Sequence, residues 1–405
     1  MNFRVLFSKP IYFLFIFLWP ILLLPKPVQF FILIFISVWQ FLSLKKSRVT
    51  ILFEKDFVFA AFITIGVVHF VSIIINVLIE NFTFERILAA INVSSMWIIS
   101  ALFYKNYKHA DIDKKLLAKI CLVNLVVLYL LAILFFCLTL FDVPEFYLFN
   151  RPLYGIEYAN GGLKYRFIGF MEYSNLIVTF TMINTYFALF ACKKNTYKIA
   201  LVILGFLPIF LEKSRFGILA YLILIFMLYF LGIEYKRERI YFLLLGAPMI
   251  IVLAMSMIDI NLIINYRPGS NRDRFDIYYY SIKSVVDGNI FNMFMGKGVK
   301  AYHTYYPMGS HSTYLGFFYK MGITGIVNAI FLVISCLKYI LSKRNYVGVV
   351  FLSVLFVFFA LEDMDGANWL LCVIAAFVAI AGQQNEENKK RLLEYEKIER
   401  RDYCE

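Results

Sequence analysis

A small set of side chains in the polar segments of this chain could perform chemistry on a phosphorylated substrate. Between long apolar runs lie three arginines and one histidine with this potential: Arg166, Arg215, Arg274 and His311. Arginine stays charged and can bind phosphate oxygens through two parallel hydrogen bonds, and histidine can accept a proton near neutral pH. Together they could bind a phosphate group and accept a proton close to it.

The longest polar segment, residues 259–310, carries an amphipathic pattern. Apolar side chains recur at three- and four-residue intervals, at Phe275, Tyr278, Tyr279, Ile282, Val285 and Val286, and polar ones lie opposite. This spacing predicts a helix on the membrane surface. We expect Pro268-Gly269 to turn the chain before it, Ser270 and Asp273 to cap it, and Gly288-Asn289 to end it. Arg272 and Arg274 then occupy a first turn whose dipole favours anions, which indicates an anionic partner.

Composition places these residues in a membrane protein. The chain has 405 residues, of which 61% are hydrophobic, and a mean hydropathy of +0.74. These values exclude a soluble globular domain and are typical of an all-α, polytopic helical membrane protein. The net charge of +13 comes from short basic clusters between apolar runs, so we expect no nucleic-acid partner.

Apolar runs predict about twelve transmembrane helices in one integral membrane domain, residues 1–405. The runs lie near 10–24, 28–44, 57–79, 87–104, 116–140, 171–191, 198–211, 216–233, 240–258, 311–336, 346–361 and 367–382. Most of the 40 Lys and Arg fall on one side if both termini are cytoplasmic. Residues 141–170 and 259–310 then form external loops, and residues 383–405 form a cytoplasmic tail.

The remaining basic residues form an external cationic set. They are Arg151, Lys164, Arg166, Lys213, Arg215, Arg267, Arg272, Arg274, Lys283, Lys297 and Lys300. The positive-inside rule does not explain basic residues on the external side. We therefore expect a negatively charged partner near the outer surface, such as a lipid-linked phosphate or diphosphate. The structural alternatives are solvated loop charges and, for Arg215, snorkelling or pairing with Glu212.

Other motifs carry less chemistry. Asp363-Met-Asp365 has the form of a metal-binding motif but lies in a short external turn, and Gly296-Lys-Gly298 lacks the rest of a phosphate-binding loop. We read these glycines as turn formers. No cysteine lies in an external loop, so no disulfide is expected. The sequence predicts no metal site and no cofactor.

Several of these motifs together resemble the O-antigen polymerase and O-antigen ligase superfamily. The resemblance rests on Arg166-Phe-Ile-Gly169 ending in Asn175, Ser214-Arg215 at a span junction, Arg274 in a large loop, Gly296-Lys-Gly298, and Gly309-Ser-His311-Ser-Thr-Tyr-Leu315 followed by Gly322-Ile-Thr-Gly325. It covers roughly residues 150–330. Ser312 stands where the family more often has an asparagine after the histidine.

The resemblance implies a metal-independent glycosyltransferase in the bacterial cytoplasmic membrane with its active site on the external face. It would move a growing glycan from undecaprenyl pyrophosphate onto the next lipid-linked repeat unit, in contact with membrane lipid and with flippase and chain-length regulator proteins. Arg215, Arg274 and His311 would be catalytic, and Arg166, Arg272, Tyr278 and Tyr314 would bind substrate. The alternatives are a ligase acting on lipid A-core and a flippase or transporter of lipid-linked oligosaccharide.

Overall fold

Helices dominate the architecture. The computed structural model describes residues 9–44, 54–79, 83–159, 162–192, 195–231, 268–299, 312–363 and 367–383. The helices are α1 Phe13–Ile16, α2 Leu18–Leu22, α3 Lys26–Leu42, α4 Phe57–Ile79, α5 Phe84–His109, α6 Lys114–Leu140, α7 Leu176–Ala188, α8 Asn195–Glu212, α9 Arg215–Leu231, α10 Pro268–Val286, α11 Ile290–Met295, α12 Thr313–Ser342, α13 Tyr346–Leu361 and α14 Asn368–Ala381. Within the described ranges, four are long and apolar enough to cross a membrane: α4, α5, α6 and α12. The prediction of a mostly helical protein is confirmed.

Most predicted spans coincide with helices, and one is divided. Residues 10–24 form a 3-10 turn, Pro10–Tyr12, followed by α1 and α2, with a break at Phe17. Pro20 has no N–H to donate to the carbonyl of Ile16, so one continuous helix cannot form here. The predicted span is therefore helical but divided into short pieces. The predicted span at 240–258 lies outside the described residues.

The amphipathic helix forms as predicted, although its start differs. α10 begins at Pro268, so Pro268-Gly269 is the first turn of the helix rather than a turn before it. Proline suits a first helical position because its missing N–H would have no partner there. After α10 ends at Val286, Asn289 caps α11 through a capping box with Asn292.

A β-hairpin lies within residues 141–170, the segment predicted to be the first external loop. β3 (Tyr154–Ala159) pairs antiparallel with β4 (Gly162–Phe167), preceded by a two-residue pair, β1 (Tyr147–Leu148) with β2 (Arg151–Pro152). The hairpin packs against α6, where the ring of Phe135 lies 5.3 Å from Phe167 and 5.6 Å from Tyr154. Because side chains alternate along a strand, Arg166 faces away from the buried Phe167.

Polar contacts between chain segments cluster at two ends of the helix bundle. We call these the Lys108 end and the Glu362 end. The Lys108 end gathers Lys108 with Asp56 and Glu54, Tyr12 with Asp113, Asn345 with Ala381, and Gln383 with Tyr107. The Glu362 end gathers Lys26 with Glu172, Arg166 with Glu212, Asn175 with Glu362, and Arg274 with Glu362. Consecutive long helices such as α4, α5 and α6 therefore run antiparallel.

Near the Glu362 end, α12 is kinked at Gly322, whose φ of 64° no other residue type adopts readily. Gly296 and Gly298 lie in a loop that packs against the kink. Their φ values are 70° and 78°, which confirms their prediction as turn formers. The backbone N–H groups of Lys297 and Gly298 donate to the carbonyls of Tyr319 and Lys320 at 2.7 and 3.1 Å. The loop thus uses carbonyls that the kink leaves without helical partners.

Polar side chains of α4 and α5 hold this loop in place. The Ser72 hydroxyl lies 2.6 and 2.7 Å from the carbonyl oxygens of Met295 and Lys320 and can donate its one hydrogen to either, and Asn76 donates to the carbonyl of Gly296 at 3.1 Å. Arg86 donates to the carbonyl of Lys297 at 2.6 Å. Because these groups are buried, each hydrogen bond also avoids leaving a polar atom unsatisfied.

The ion pairs of the Lys108 end predict a pH dependence of stability. Burial alone would raise the pKa of Asp56, but the hydrogen bond and charge of Lys108, 2.6 Å away, outweigh it and hold that pKa below its ordinary value. A carboxylate with a lowered folded-state pKa stabilises the fold above its unfolded pKa, about 3.9. That stabilisation is lost as the pH falls through the folded-state value.

We therefore expect Lys108→Met to lower the free energy of unfolding by about 2 kcal/mol at pH 7, with the difference from wild type shrinking in acid. Melting temperatures of the purified protein between pH 7 and pH 3 measure this. Lys115→Met, which removes an exposed charge at the same end, is the control and should change little. A Lys108→Met deficit that stays constant with pH would contradict the assignment.

Candidate functional site

Arg166 is the first residue of a charged network at the Glu362 end. β4 carries its side chain to the end of α8, where Nε donates to the carbonyl of Glu212 at 2.8 Å and Nη2 donates to Glu212 Oε1 at 2.5 Å. Nη2 also donates to Asn175 Oδ1 at 2.7 Å. The Glu212 carboxylate is fully buried and its Oε2 accepts from the backbone N–H of Ser214 at 2.9 Å. Arg166 thus joins the hairpin, α7 and the turn between α8 and α9.

Asn175 continues the network toward α13. Its Oδ1 accepts from Arg166, and its Nδ2 donates to Glu362 Oε2. Asn175 occupies the N-cap position of α7, where asparagine commonly caps the helix through its own side chain. Here it makes no capping hydrogen bond. Its side chain is committed to the two charged neighbours instead.

Glu362 and Arg274 complete the network. Arg274, on α10, donates from Nη2 to Glu362 Oε1 at 3.0 Å and from Nη1 to the carbonyl of Leu361 at 3.3 Å. The guanidinium of Arg274 also lies 5.2 Å from the ring centroid of Phe216 on α9, a cation–π distance. About a quarter of the Arg274 side chain remains exposed, whereas the Glu362 side chain is 2% exposed. The network therefore runs from Glu212 through Arg166, Asn175 and Glu362 to Arg274.

Burial and ion pairing have opposite effects on the pKa of the carboxylate at the centre of this network. Burial raises the pKa of Glu362, and the nearby Glu212 raises it further, while Arg274 and Arg166 lower it; the net direction is upward. Tyr278, one helical turn after Arg274, shares a hydrogen bond with that guanidinium, and burial raises the pKa of its hydroxyl. An anionic ligand at Arg274 would therefore lie close to the Glu362 carboxylate, with which that guanidinium is already paired.

Of the other predicted site residues, Arg215 is described near the network, whereas the side chain of Arg272 and the whole of His311 are not described. Arg215 is the first residue of α9, directly before Phe216, which lies under Arg274. Arg272 lies in α10, but its side chain is outside the described part of the structure, and His311 lies outside the described residues altogether. The residues after His311 do reach the network, because the N–H and Oγ1 of Thr313 both donate to the carbonyl of Glu362, at 3.2 and 2.9 Å.

Tyr314 takes a position inside the bundle. Its hydroxyl donates to the carbonyl of Phe356 at 3.0 Å, about 9 Å along α13 from Glu362. It also lines a small apolar cavity of about 30 Å³ with Trp97 and Phe317. Its predicted contact with substrate stays a prediction, and the hydroxyl is engaged within the protein.

Sequence reasoning missed the two carboxylates. Glu212 was considered only as a partner of Arg215, and Glu362 was not singled out, although each ends an apolar helix and is a costly residue to bury. Asn175 was noticed only as the end of a motif. The signal that could have found Glu212 and Glu362 is their position, since an acidic residue at a span end facing predicted arginines needs a partner.

No family model and no curated protein matches this chain. Within the described ranges, no group of three or more His, Cys, Asp or Glu lies close enough to hold a metal ion. Arg166 and Arg274 are partly exposed and held by hydrogen bonds, and arginine side chains are suited to binding a diphosphate.

Proposed function

We propose that this chain is a membrane-embedded glycosyltransferase that polymerises polysaccharide repeat units carried on a lipid diphosphate. The observation that carries the proposal is the convergence of separate segments at the Glu362 end. Arg166 and Arg274 belong to one network, Phe216 next to Arg215 packs under Arg274, and Thr313, two residues after His311, binds Glu362. These segments are far apart in sequence, so only the fold brings them to one place.

In this proposal the acceptor sugar hydroxyl attacks the anomeric carbon of the donor glycan, and the bond from that carbon to the diphosphate oxygen breaks. Arg274 and Arg215 bind the diphosphate and neutralise the charge that develops as it leaves. His311 accepts the proton of the attacking hydroxyl. Arg166 is engaged by three oxygens of Glu212 and Asn175, so its role is to orient the site.

The proposal places the Glu362 end at the external face of the bacterial cytoplasmic membrane, with about twelve spans and both termini cytoplasmic. α10 supports this location because it has two distinct faces. Val285 and Ile277 pack inward, whereas an exposed apolar stripe runs along the other side: Phe275, Tyr279, Ile282 and Val286. We place this stripe in the outer membrane surface, with Arg274 facing the site.

The decisive test uses purified protein in lipid nanodiscs with one defined repeat unit linked to undecaprenyl diphosphate. We expect a ladder of products that differ by one repeat unit, together with release of undecaprenyl diphosphate. No ladder, with transfer only to an added lipid A-core acceptor, would favour a ligase instead. Movement of the intact lipid across vesicle membranes without new glycosidic bonds would favour a transporter.

A further inference from the structure

Asn175 connects two arginine–carboxylate pairs that would otherwise be separate. One pair, Arg166 with Glu212, joins the hairpin to the end of α8, and the other, Arg274 with Glu362, joins α10 to the end of α13. The carboxamide of Asn175 contacts one member of each pair, Arg166 and Glu362. Both pairs are at least partly buried, so the contacts between them are shielded from solvent.

The chemistry of the two neighbours fixes the direction of this carboxamide. A guanidinium can only donate hydrogen bonds and an ionised carboxylate can only accept them. Asn175 must therefore present its oxygen to Arg166 and its NH₂ group to Glu362. Neither an ionised aspartate nor an apolar residue can make both contacts when Glu362 is ionised. The side chain also forgoes the helix cap that its position would allow, so the local stability of α7 does not explain an asparagine here.

We propose that Asn175 is a positioning residue that links the two pairs into one unit and thereby holds Arg274 in its binding position. The inference deepens the proposed function, on which its activity readout rests, and assigns Asn175 no contact with substrate. Glu362 is the group through which it acts. The charged and titratable groups that act on Glu362 are Arg274 and Tyr278 from α10, Arg166 from β4 and Glu212 from α8.

Asn175→Asp provides a test that depends on pH. The variant places a second carboxylate against Glu362, so at pH 8 the two repel each other and Glu362 is displaced from Arg274. At lower pH the pair holds one shared proton, and a protonated oxygen can donate as the NH₂ group did, whichever residue carries it. We expect polymerisation relative to wild type to fall by at least about 10-fold at pH 8 and to recover to within about 3-fold at pH 5.5.

The double variant Asn175→Asp with Glu362→Gln exchanges the two functional groups. The carboxylate now on α7 would accept from Arg166 and from the NH₂ group of the amide now at the end of α13. The oxygen of that amide would accept from Arg274, so the number of charges and hydrogen bonds is kept. We expect this exchange to restore most of the loss at pH 8 and to remove the pH dependence. Asn175→Leu, which makes neither contact, should be impaired equally at both pH values.

Melting temperature in nanodiscs gives the same comparison without assuming any activity. We expect Asn175→Asp to melt at least about 3 °C below wild type at pH 8, with the gap closing at pH 5.5 and in the double variant. Asn289→Asp is the matched control, because Asn289 is an exposed N-cap at the same end where aspartate serves equally well.

Two results would overturn the coupling. One is wild-type behaviour of both Asn175→Asp and Asn175→Leu. The other is an Asn175→Asp deficit that neither low pH nor the exchange relieves, because Asn175 would then be needed only for packing. If the melting temperatures follow the expected pattern but wild-type protein makes no ladder, the coupling stands and the proposed function fails.

Discussion

Replacing Arg274 by lysine is expected to reduce repeat-unit polymerisation by at least about 100-fold while the protein stays folded. Lysine keeps the positive charge that Glu362 requires, but it lacks the planar fork that binds Glu362 and the carbonyl of Leu361 together. It also loses the flat guanidinium surface over Phe216. The ammonium group would bind a diphosphate without the fixed bidentate geometry of a guanidinium. The negative charge that develops on the leaving diphosphate would then be less well neutralised.

The lysine variant is more informative than alanine because of the buried partner. Arg274→Ala would leave the 2%-exposed Glu362 without its main cation, at a cost of about 3 to 5 kcal/mol. Loss of activity in that variant could reflect unfolding alone. The double variant Arg274→Ala with Glu362→Gln removes the uncompensated charge, and we expect it to be folded but inactive.

Lys283→Ala is the matched control for Arg274→Lys. Lys283 is an exposed cation on the same helix, with its Nζ 5.5 Å from the ring of Tyr279, and it makes no described contact with the network. Ladder length and release of undecaprenyl diphosphate are measured for each variant beside its melting temperature. A normal ladder from Arg274→Lys would remove Arg274 from the proposed binding site.

Gly296→Ala is expected to destabilise the fold by at least about 3 kcal/mol. Gly296 has a φ of 70°, and an added Cβ would lie 2.4 Å from both the carbonyl carbon of Lys320 and the backbone nitrogen of Met321. These are backbone atoms at the kink of α12, so no rotamer change can relieve the contact. The loop would have to leave the kink.

The melting temperature of Gly296→Ala in nanodiscs and its yield as a monodisperse protein measure this effect. Gly155→Ala is the control, because the added Cβ there would meet only the end of the Ile168 side chain at 3.3 Å. If Gly296→Ala melts within about 2 °C of wild type, the loop does not press on the kink as closely as described.

Hydrophobic periodicity was sufficient to predict the helical framework. Apolar runs located α4 and α13 at their observed limits, because a helix in an apolar environment must bond its own backbone. The three- and four-residue spacing likewise predicted α10. The hairpin was missed although Tyr154, Ile156 and Tyr158 alternate with polar or small residues, as do Leu163, Tyr165 and Phe167. A period-two signal, which is typical of strands, was therefore present in a segment predicted to be a loop.

The sequence by itself determined which groups carry charge and where most of the described apolar helices and the glycine turns fall, because these depend on local composition and backbone sterics. Only the tertiary structure decided that Arg166 pairs with Glu212, that Arg274 pairs with Glu362, and that Asn175 joins them. Glu362 lies 187 residues from Asn175 in the chain. Such partners are chosen by how helices pack and by the cost of burying an unpaired charge, and neither is encoded in local spacing.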